Sequence, residues 1–178
     1  MIVVNLFGEP GAGKSTGAAY IFAKLKMCGV NAELVTEYAK DKVWEENTTA
    51  LKNQAYVFGE QFFRISRCED KVDVIITDSP LPLSIIYNKN KLTEYFNKTV
   101  MDVFNSYNNV NYLVSRVKPY NPAGREQNEK EAFDLKDDIR LMLHSYDIKF
   151  NPITGDLTGY DSVVNDVLSI LGRSYDEN

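Results

Sequence analysis

The sequence predicts an α/β fold in which helices flank both faces of a five-stranded parallel sheet. Short apolar, β-branched runs typical of buried strands begin at Ile2, Ala32 and Val72. Between these runs, apolar residues recur every three or four positions, which is the spacing of amphipathic helices. The order strand, helix, strand predicts parallel pairing, because the intervening helix returns the chain to the end of the sheet at which the previous strand began. Ligand-binding residues are then expected where the strands end.

The individual elements follow from the same two periodicities. Predicted strands cover residues 2–7, 32–36, 72–78, 111–115 and 148–150. Predicted helices cover residues 17–27, 51–67, 92–107, 126–144 and 159–171, with shorter helical turns or loops within 41–53 and 81–87. Gly29 is expected to end the first helix. All of these elements fit a single domain spanning residues 1–178.

The composition narrows the class of protein. Hydrophobic residues make up 44% of the 178 residues, which is enough for a full core. A charged fraction of 25% and the lack of any run of ~18 apolar residues exclude a membrane protein, so a cytoplasmic protein is expected. The net charge of −5 argues against broad, non-specific binding to nucleic acid. Cys28 and Cys68 show no metal-ligand spacing.

A glycine-rich segment, GEPGAGKST at residues 8–16, follows the first strand and matches the P-loop pattern. Glycines let the loop turn its N–H groups around a phosphate chain. Lys14 is expected against the β and γ phosphates, and the Ser15 hydroxyl on Mg²⁺. The fold class is therefore the three-layer fold of P-loop NTPases. The predicted nucleotide-binding residues are Gly8, Gly11, Ala12, Gly13, Lys14, Ser15 and Thr16.

Two carboxylates end predicted strands. The segment VDVIITD at residues 72–78 ends in Asp78, which matches the Walker B pattern of an acidic residue beside Mg²⁺. Glu37 follows the second strand and falls on the same edge of the sheet. Ser15 and Asp78 are therefore the predicted magnesium ligands. Either Glu37 or Asp78 could orient an acceptor hydroxyl.

Sequence details favour phosphoryl transfer over other uses of a P-loop. No Asn-Lys pair is followed by the Asp that GTPases use to read guanine, and Ser79 stands where motor ATPases have a Glu. A kinase also needs cations and a cover that excludes water. Arg116, Lys118 and Arg125 lie in a segment rich in Pro and Gly, and residues 116–126 are predicted to form a basic lid.

In these segments the chain resembles small P-loop nucleoside and nucleotide kinases, most closely the group that includes the nicotinamide riboside kinase domain and kinase-like proteins often carried by bacteriophages. The resemblance spans residues 2 to about 126. The matching segments are GEPGAGKS, TEYAKDKVWE, QAYVFGEQFFR, VIITDSPLPLS and RVKPYNPAGR.

The resemblance implies ATP and Mg²⁺ as cosubstrates and a small nucleoside or nucleotide as the acceptor. It implies that Glu37 contacts the acceptor and that Gln54 and Arg64 lie on the helix that lines the acceptor pocket. Arg116 and Arg125 would then act on the transferring group. Asp78-Ser79-Pro80 departs from the Asp-Arg-x or Glu-Arg-Ser signatures of deoxynucleoside kinases, which leaves the base and the acceptor open.

Several alternatives stay open at this point. The protein could be a kinase acting on the end or a modified base of a nucleic acid, although its acidic charge disfavours this. It could also be a nucleotide-binding regulatory ATPase without a small acceptor. Arg64 and Arg67 could simply pair with acids such as Glu60, Glu69 and Asp70. The choice between ATP and GTP and the oligomeric state, a homodimer included, are not determined by the sequence.

Overall fold

The computed structural model describes residues 1–89, 91–117 and 129–173. Five strands form one sheet in which every neighbouring pair is parallel. The strands are β1 (Ile2–Phe7), β2 (Ala32–Val35), β3 (Val74–Thr77), β4 (Asn108–Ser115) and β5 (Asn151–Thr154). Their spatial order is β2-β3-β1-β4-β5. The predicted five-stranded parallel sheet is confirmed, with the strand that precedes the P-loop at its centre.

Helices connect the strands in the order that the sequence predicts. They are α1 (Lys14–Met27), α2 (Tyr38–Trp44), α3 (Thr48–Lys52), α4 (Gln54–Ser66), α5 (Leu83–Asn88), α6 (Glu94–Asn105), α7 (Glu129–Ser145) and α8 (Leu157–Ile170). Gly29 has φ 72° just after α1, as expected of a residue that ends a helix.

The prediction of a single long helix over residues 51–67 is wrong, because the helix is interrupted at Asn53. The backbone of Asn53 is not helical, and its side chain accepts a hydrogen bond from the Tyr56 N–H. Asn53 therefore caps a new helix, α4, after the short α3. Residues of both helices line the cavity described below.

The predicted last strand, residues 148–150, is also wrong: β5 begins at Asn151. Ile148 is apolar because it packs into the core beneath α7, and it precedes the strand. The strand itself lies at the edge of the sheet, where its side chains are mostly exposed. An edge position also tolerates Pro152, which has no N–H to donate. An exposed edge strand lacks the apolar run on which the prediction depended.

The core has two layers, one on each face of the sheet. On one face α1 and α8 pack against alternate residues of the central strand, such as Val4 and Leu6. On the other face α4, α6 and α7 pack against residues such as Val3 and Phe7. These four strand residues are at most 1% exposed. This burial on both faces explains why apolar residues do not alternate with polar ones along β1 and instead occupy five of its six positions.

One buried polar side chain interrupts that run. Asn5 is 1% exposed and donates to the Oδ1 atoms of Asn109 and Asn111 on β4, at 2.9 and 3.0 Å. A buried amide is stable only when it is hydrogen-bonded, so this contact favours one register between the two strands. In the described part of the chain, no helix is both long enough and apolar enough to cross a membrane.

Candidate active site

The P-loop connects the end of the central strand β1 to the start of α1. Gly13 is the residue before the helix and has φ 101°, a conformation that favours glycine. The Lys14 side chain folds back along the loop, and its Nζ donates to the carbonyl oxygens of Gly8 and Glu9 at 2.8 and 3.2 Å. The loop therefore has the predicted strand-to-helix setting, with the positive end of α1 directed at its mouth.

Residues near the end of the sequence support this loop from behind. The Tyr160 hydroxyl donates to the carbonyl oxygen of Gly13 at 3.0 Å. Gly155, between β5 and α8, lies so close that a Cβ added to it would be 2.1 Å from the Ala12 carbonyl oxygen. Sequence reasoning missed both residues, because nothing in their local pattern reveals a contact with a loop so distant along the chain.

This close approach leads to a prediction. Gly155→Ala should destabilise the protein by about 1–3 kcal/mol, because the added methyl group meets backbone rather than a movable side chain. ATP affinity should fall as well, since the closest atom that the methyl group meets belongs to Ala12 of the P-loop. Thermal melts with and without Mg-ATP would measure both effects.

The matched control is Gly59→Ala, where an added Cβ would meet nothing within 4 Å. Gly59 is exposed in the middle of α4, so this change should stabilise the protein by up to about 1 kcal/mol. Equal melting temperatures and equal ATP affinities in the two variants would contradict the proposed support of the loop.

Both predicted carboxylates lie at the end of the sheet where the carboxyl ends of the parallel strands meet. Asp78 directly follows β3 and is 3% exposed, and its Oδ1 has no hydrogen-bond partner among the described residues. Glu37 comes two residues after β2 and immediately before α2. Burial raises the pKa of Glu37 and the nearby charge of Asp78 raises it further, while the Lys14 ammonium opposes both effects. The charges of Lys14 and Asp78 are therefore close enough to Glu37 to affect its protonation.

A single cavity of about 260 Å³ connects the P-loop with both carboxylates. One end is formed by the loop and the first turn of α1. The other end lies between α2, α3, α4 and α5. Its lining there combines apolar side chains with a few polar ones: Ala39, Lys40, Val43, Leu51, Gln54, Val57, Gln61, Leu83, Ser84 and Tyr87. A cavity with apolar walls and a few convergent polar groups is typical of a small-molecule site.

The residues around the P-loop suit Mg²⁺. Ser15 offers a hydroxyl oxygen and Asp78 a buried carboxylate oxygen that accepts no hydrogen bond within the described ranges. No group of three or more His, Cys, Asp or Glu side chains that could hold a metal occurs among those residues. Magnesium at nucleotide sites needs only one or two protein oxygens, since phosphate and water supply the others. The donor set therefore fits.

The structure brings together most of the predicted site residues. Eight of them line the cavity: Gly11, Gly13, Lys14, Ser15, Thr16, Glu37, Gln54 and Asp78. Gly8 and Ala12 are buried within the loop and do not line it. Sequence reasoning did not identify Lys40 or Gln61 as cavity residues. Gln61 had a usable signal, because it lies between Phe58 and Ile65 on the apolar side of its helix.

Arg64, predicted to contact the acceptor, lies outside the cavity lining. Its guanidinium pairs with the Asp41 carboxylate at 2.5 Å and donates to the Thr36 hydroxyl at 3.3 Å. It also lies 5.1 Å from the centre of the Tyr38 ring. Arg64 therefore contacts residues on both sides of Glu37. Its partner is not one of the acids that helical spacing suggested.

Of the predicted lid, residues 116–126, only the first two residues are among those described. Arg116 follows β4 at the same edge of the sheet as the P-loop, but it is not among the residues that line the cavity. Lys118 and Arg125, with the rest of residues 118–126, lie outside the described residues. The lid and the roles of its cations therefore stay predictions.

The fold and this arrangement of residues define a P-loop protein with the kinase type of fold. A family model described as an AAA domain matches residues 3–158. The chain belongs to this AAA-domain family. The match includes the P-loop, Glu37, Asp78 and all five strands except the first residue of β1.

Among solved structures, the chain is similar to deoxyadenosine kinase from M. mycoides with bound dATP. The TM-score is 0.55 and the sequence identity 18%, with 96% of this chain and 99% of that chain covered. At this identity the likeness shows the shared fold. A search of curated proteins found no match.

Proposed function

We propose that the protein is an ATP- and Mg²⁺-dependent kinase that transfers a phosphoryl group to a hydroxyl or phosphate of a nucleoside, a nucleotide or a related small molecule. The observation that carries this proposal is the single cavity that joins the P-loop to Glu37 and Asp78 and then continues between α2, α3, α4 and α5. A kinase needs this geometry, because donor and acceptor must meet within one enclosed space.

The P-loop and the two carboxylates each have a role in this reaction. Lys14 and the N–H groups of the P-loop would bind the phosphate chain and offset its charge. Ser15 and Asp78 would hold Mg²⁺, which when bound neutralises charge on the phosphates. Glu37 would accept the proton of the acceptor hydroxyl or orient it, a task for which a carboxylate with a raised pKa is suited.

The far end of the cavity supports a ring-containing acceptor. Apolar side chains on α2, α4 and α5, among them Val43, Val57 and Leu83, would contact the faces of a flat base. Gln54 adds an amide that can donate and accept hydrogen bonds. The similarity to a deoxyadenosine kinase and the resemblance to nicotinamide riboside kinase-like proteins point to the same class of acceptor.

The cations of the predicted lid complete the proposal. Arg116, Lys118 and Arg125 would close over the transferring group and exclude water, since a kinase that admits water wastes ATP. Arg116 directly follows β4, which runs parallel to β1, so it lies at the same end of the sheet as the P-loop.

The test is an ADP-release assay with Mg-ATP across nucleosides, nucleoside monophosphates, nicotinamide riboside and short oligonucleotides. Release that depends on a nucleoside or nucleotide would support the proposal and identify the acceptor. Release only with oligonucleotides, falling steeply as salt rises, would indicate a nucleic-acid kinase instead. Release without any acceptor, or tight ATP binding without release, would favour a regulatory ATPase. Lys14→Ala serves as the blank throughout.

A further inference from the structure

Gln61 is a buried polar residue on an otherwise apolar helix face. Its side chain is in α4, and the residue is 4% exposed. Its neighbours on that face, Phe58 and Ile65, belong to the core. Burying an amide is costly unless its hydrogen bonds are satisfied, so the contacts of Gln61 show what it stabilises.

Those contacts lie on both sides of Glu37. The Oε1 atom of Gln61 accepts from the Tyr38 N–H at 2.8 Å, and its Nε2 donates to the Thr36 carbonyl oxygen at 3.4 Å. A third contact runs from Nε2 to the Thr77 hydroxyl at 3.5 Å, one residue before Asp78. One amide thus connects the backbone around Glu37 with the end of the strand that carries Asp78.

The bond to Tyr38 has a second consequence. Tyr38 is the first residue of α2, where N–H groups have no acceptor within the helix. A side chain at the residue before a helix usually accepts from the N–H of the second or third helical residue, and the first N–H needs another acceptor. Glu37 occupies this position but makes no such bond, and it lines the cavity instead. Gln61 supplies the acceptor for the first N–H of α2 from another helix.

We propose that Gln61 is a positioning residue, which caps the first N–H of α2, binds the backbone on both sides of Glu37 and thereby keeps the Glu37 carboxylate in the cavity beside Asp78. This inference rests on the proposed function, because it assigns Gln61 an effect on the acceptor-activating group. Gln61 lines the same cavity, so direct contact with the acceptor is the competing role. The two roles differ in their kinetic effects.

The first experiment compares Gln61→Met with the parent protein. Methionine fills a similar volume but cannot cap α2. We expect kcat to fall about ten- to a hundredfold, because small displacements of a reacting group have effects of this size. The KM values for ATP and the acceptor should stay within about threefold of the parent. A rise in acceptor KM with unchanged kcat would show that Gln61 binds the acceptor and would overturn the proposal.

A double variant separates positioning from general damage. If Gln61 acts through Glu37, then Glu37→Gln combined with Gln61→Met should be no slower than Glu37→Gln alone, within about threefold. Independent losses that multiply would overturn the proposal. If Gln61→Met folds poorly in thermal melts, Gln61→Asn replaces it, since asparagine keeps the amide but is one methylene too short to reach the Tyr38 N–H.

Amide hydrogen exchange tests the geometry without any acceptor. The Tyr38 N–H should exchange at least about tenfold faster in Gln61→Met than in the parent. Gln54→Met makes the same chemical change on the same helix, but Gln54 donates to the Leu51 carbonyl oxygen at 2.9 Å, so Tyr38 exchange should not change. Unaltered exchange in Gln61→Met would overturn the cap.

These measurements keep the two proposals distinct. If the parent protein phosphorylates no acceptor, the proposed function fails, while the exchange data still show whether Gln61 caps α2; the positioning role would fall with the function. If the parent is active and the Gln61 variants keep its kcat, only the inference about Gln61 fails.

Discussion

Replacing Lys14 with alanine is expected to lower ADP formation by at least about a thousandfold. The ammonium is the one P-loop side chain that can place a full positive charge against the phosphates, and the N–H groups of the loop cannot replace that charge. The fold should survive, because Lys14 belongs to the P-loop segment and the bonds lost include two from Nζ to carbonyl oxygens of that same loop. Steady-state kinetics and a thermal melt would measure the two effects.

The control for this variant is Lys26→Ala, which removes an exposed lysine from the last turn of the same helix. It should have the activity of the parent protein. Full activity in Lys14→Ala would remove the P-loop from the proposed mechanism.

The second large effect is expected at Glu37. Glu37→Gln should lower kcat about 10²–10⁴-fold, because glutamine keeps the shape of the side chain but cannot accept a proton. ATP affinity should change little, since Glu37 is not part of the loop. Glu33→Gln, a matched change on β2 outside the cavity, should be neutral. Parent-like kcat in Glu37→Gln would transfer the role to Asp78.

The same variant should reveal the cost of burying this carboxylate. Because the folded-state pKa of Glu37 is raised, the parent protein loses stability as the pH rises from the ordinary pKa of a glutamate towards the raised value. Glu37→Gln does not titrate. Its melting temperature relative to the parent should therefore increase across that pH range and stay constant at lower pH. A difference in melting temperature that does not depend on pH would contradict the raised pKa.

The parts of the fold that the sequence predicts well are those whose signal is local. The P-loop motif determines a strand, a turn and a helix within 16 residues, and the central strands are buried on both faces, so their apolar runs are unmistakable. Edge elements behave differently. The sequence of β5 shows no apolar pattern typical of a strand, because most side chains of this edge strand are exposed.

The candidate site divides in the same way. Glu37 and Asp78 could be predicted because each follows a strand, and parallel strands end at one edge. The role of Gln61 could not, since it depends on how α4 packs across the start of α2. Arg64 differs from Gln61: its helix borders the cavity, but its side chain pairs with Asp41, and a contact with the acceptor stays a prediction. Helix rotation and side-chain direction are decided by tertiary packing rather than by spacing.

The support of the P-loop by Gly155 and Tyr160 bears on when the phosphate-binding site can form during translation. The contact between Gly13 and Tyr160 spans 147 residues. During translation the ribosome therefore releases a complete phosphate-binding motif long before the residues that hold it in shape. A nascent chain halted before Gly155 would carry the motif without its support. We expect nucleotide affinity to arise only after Gly155 and Tyr160 have been made and have packed against the loop.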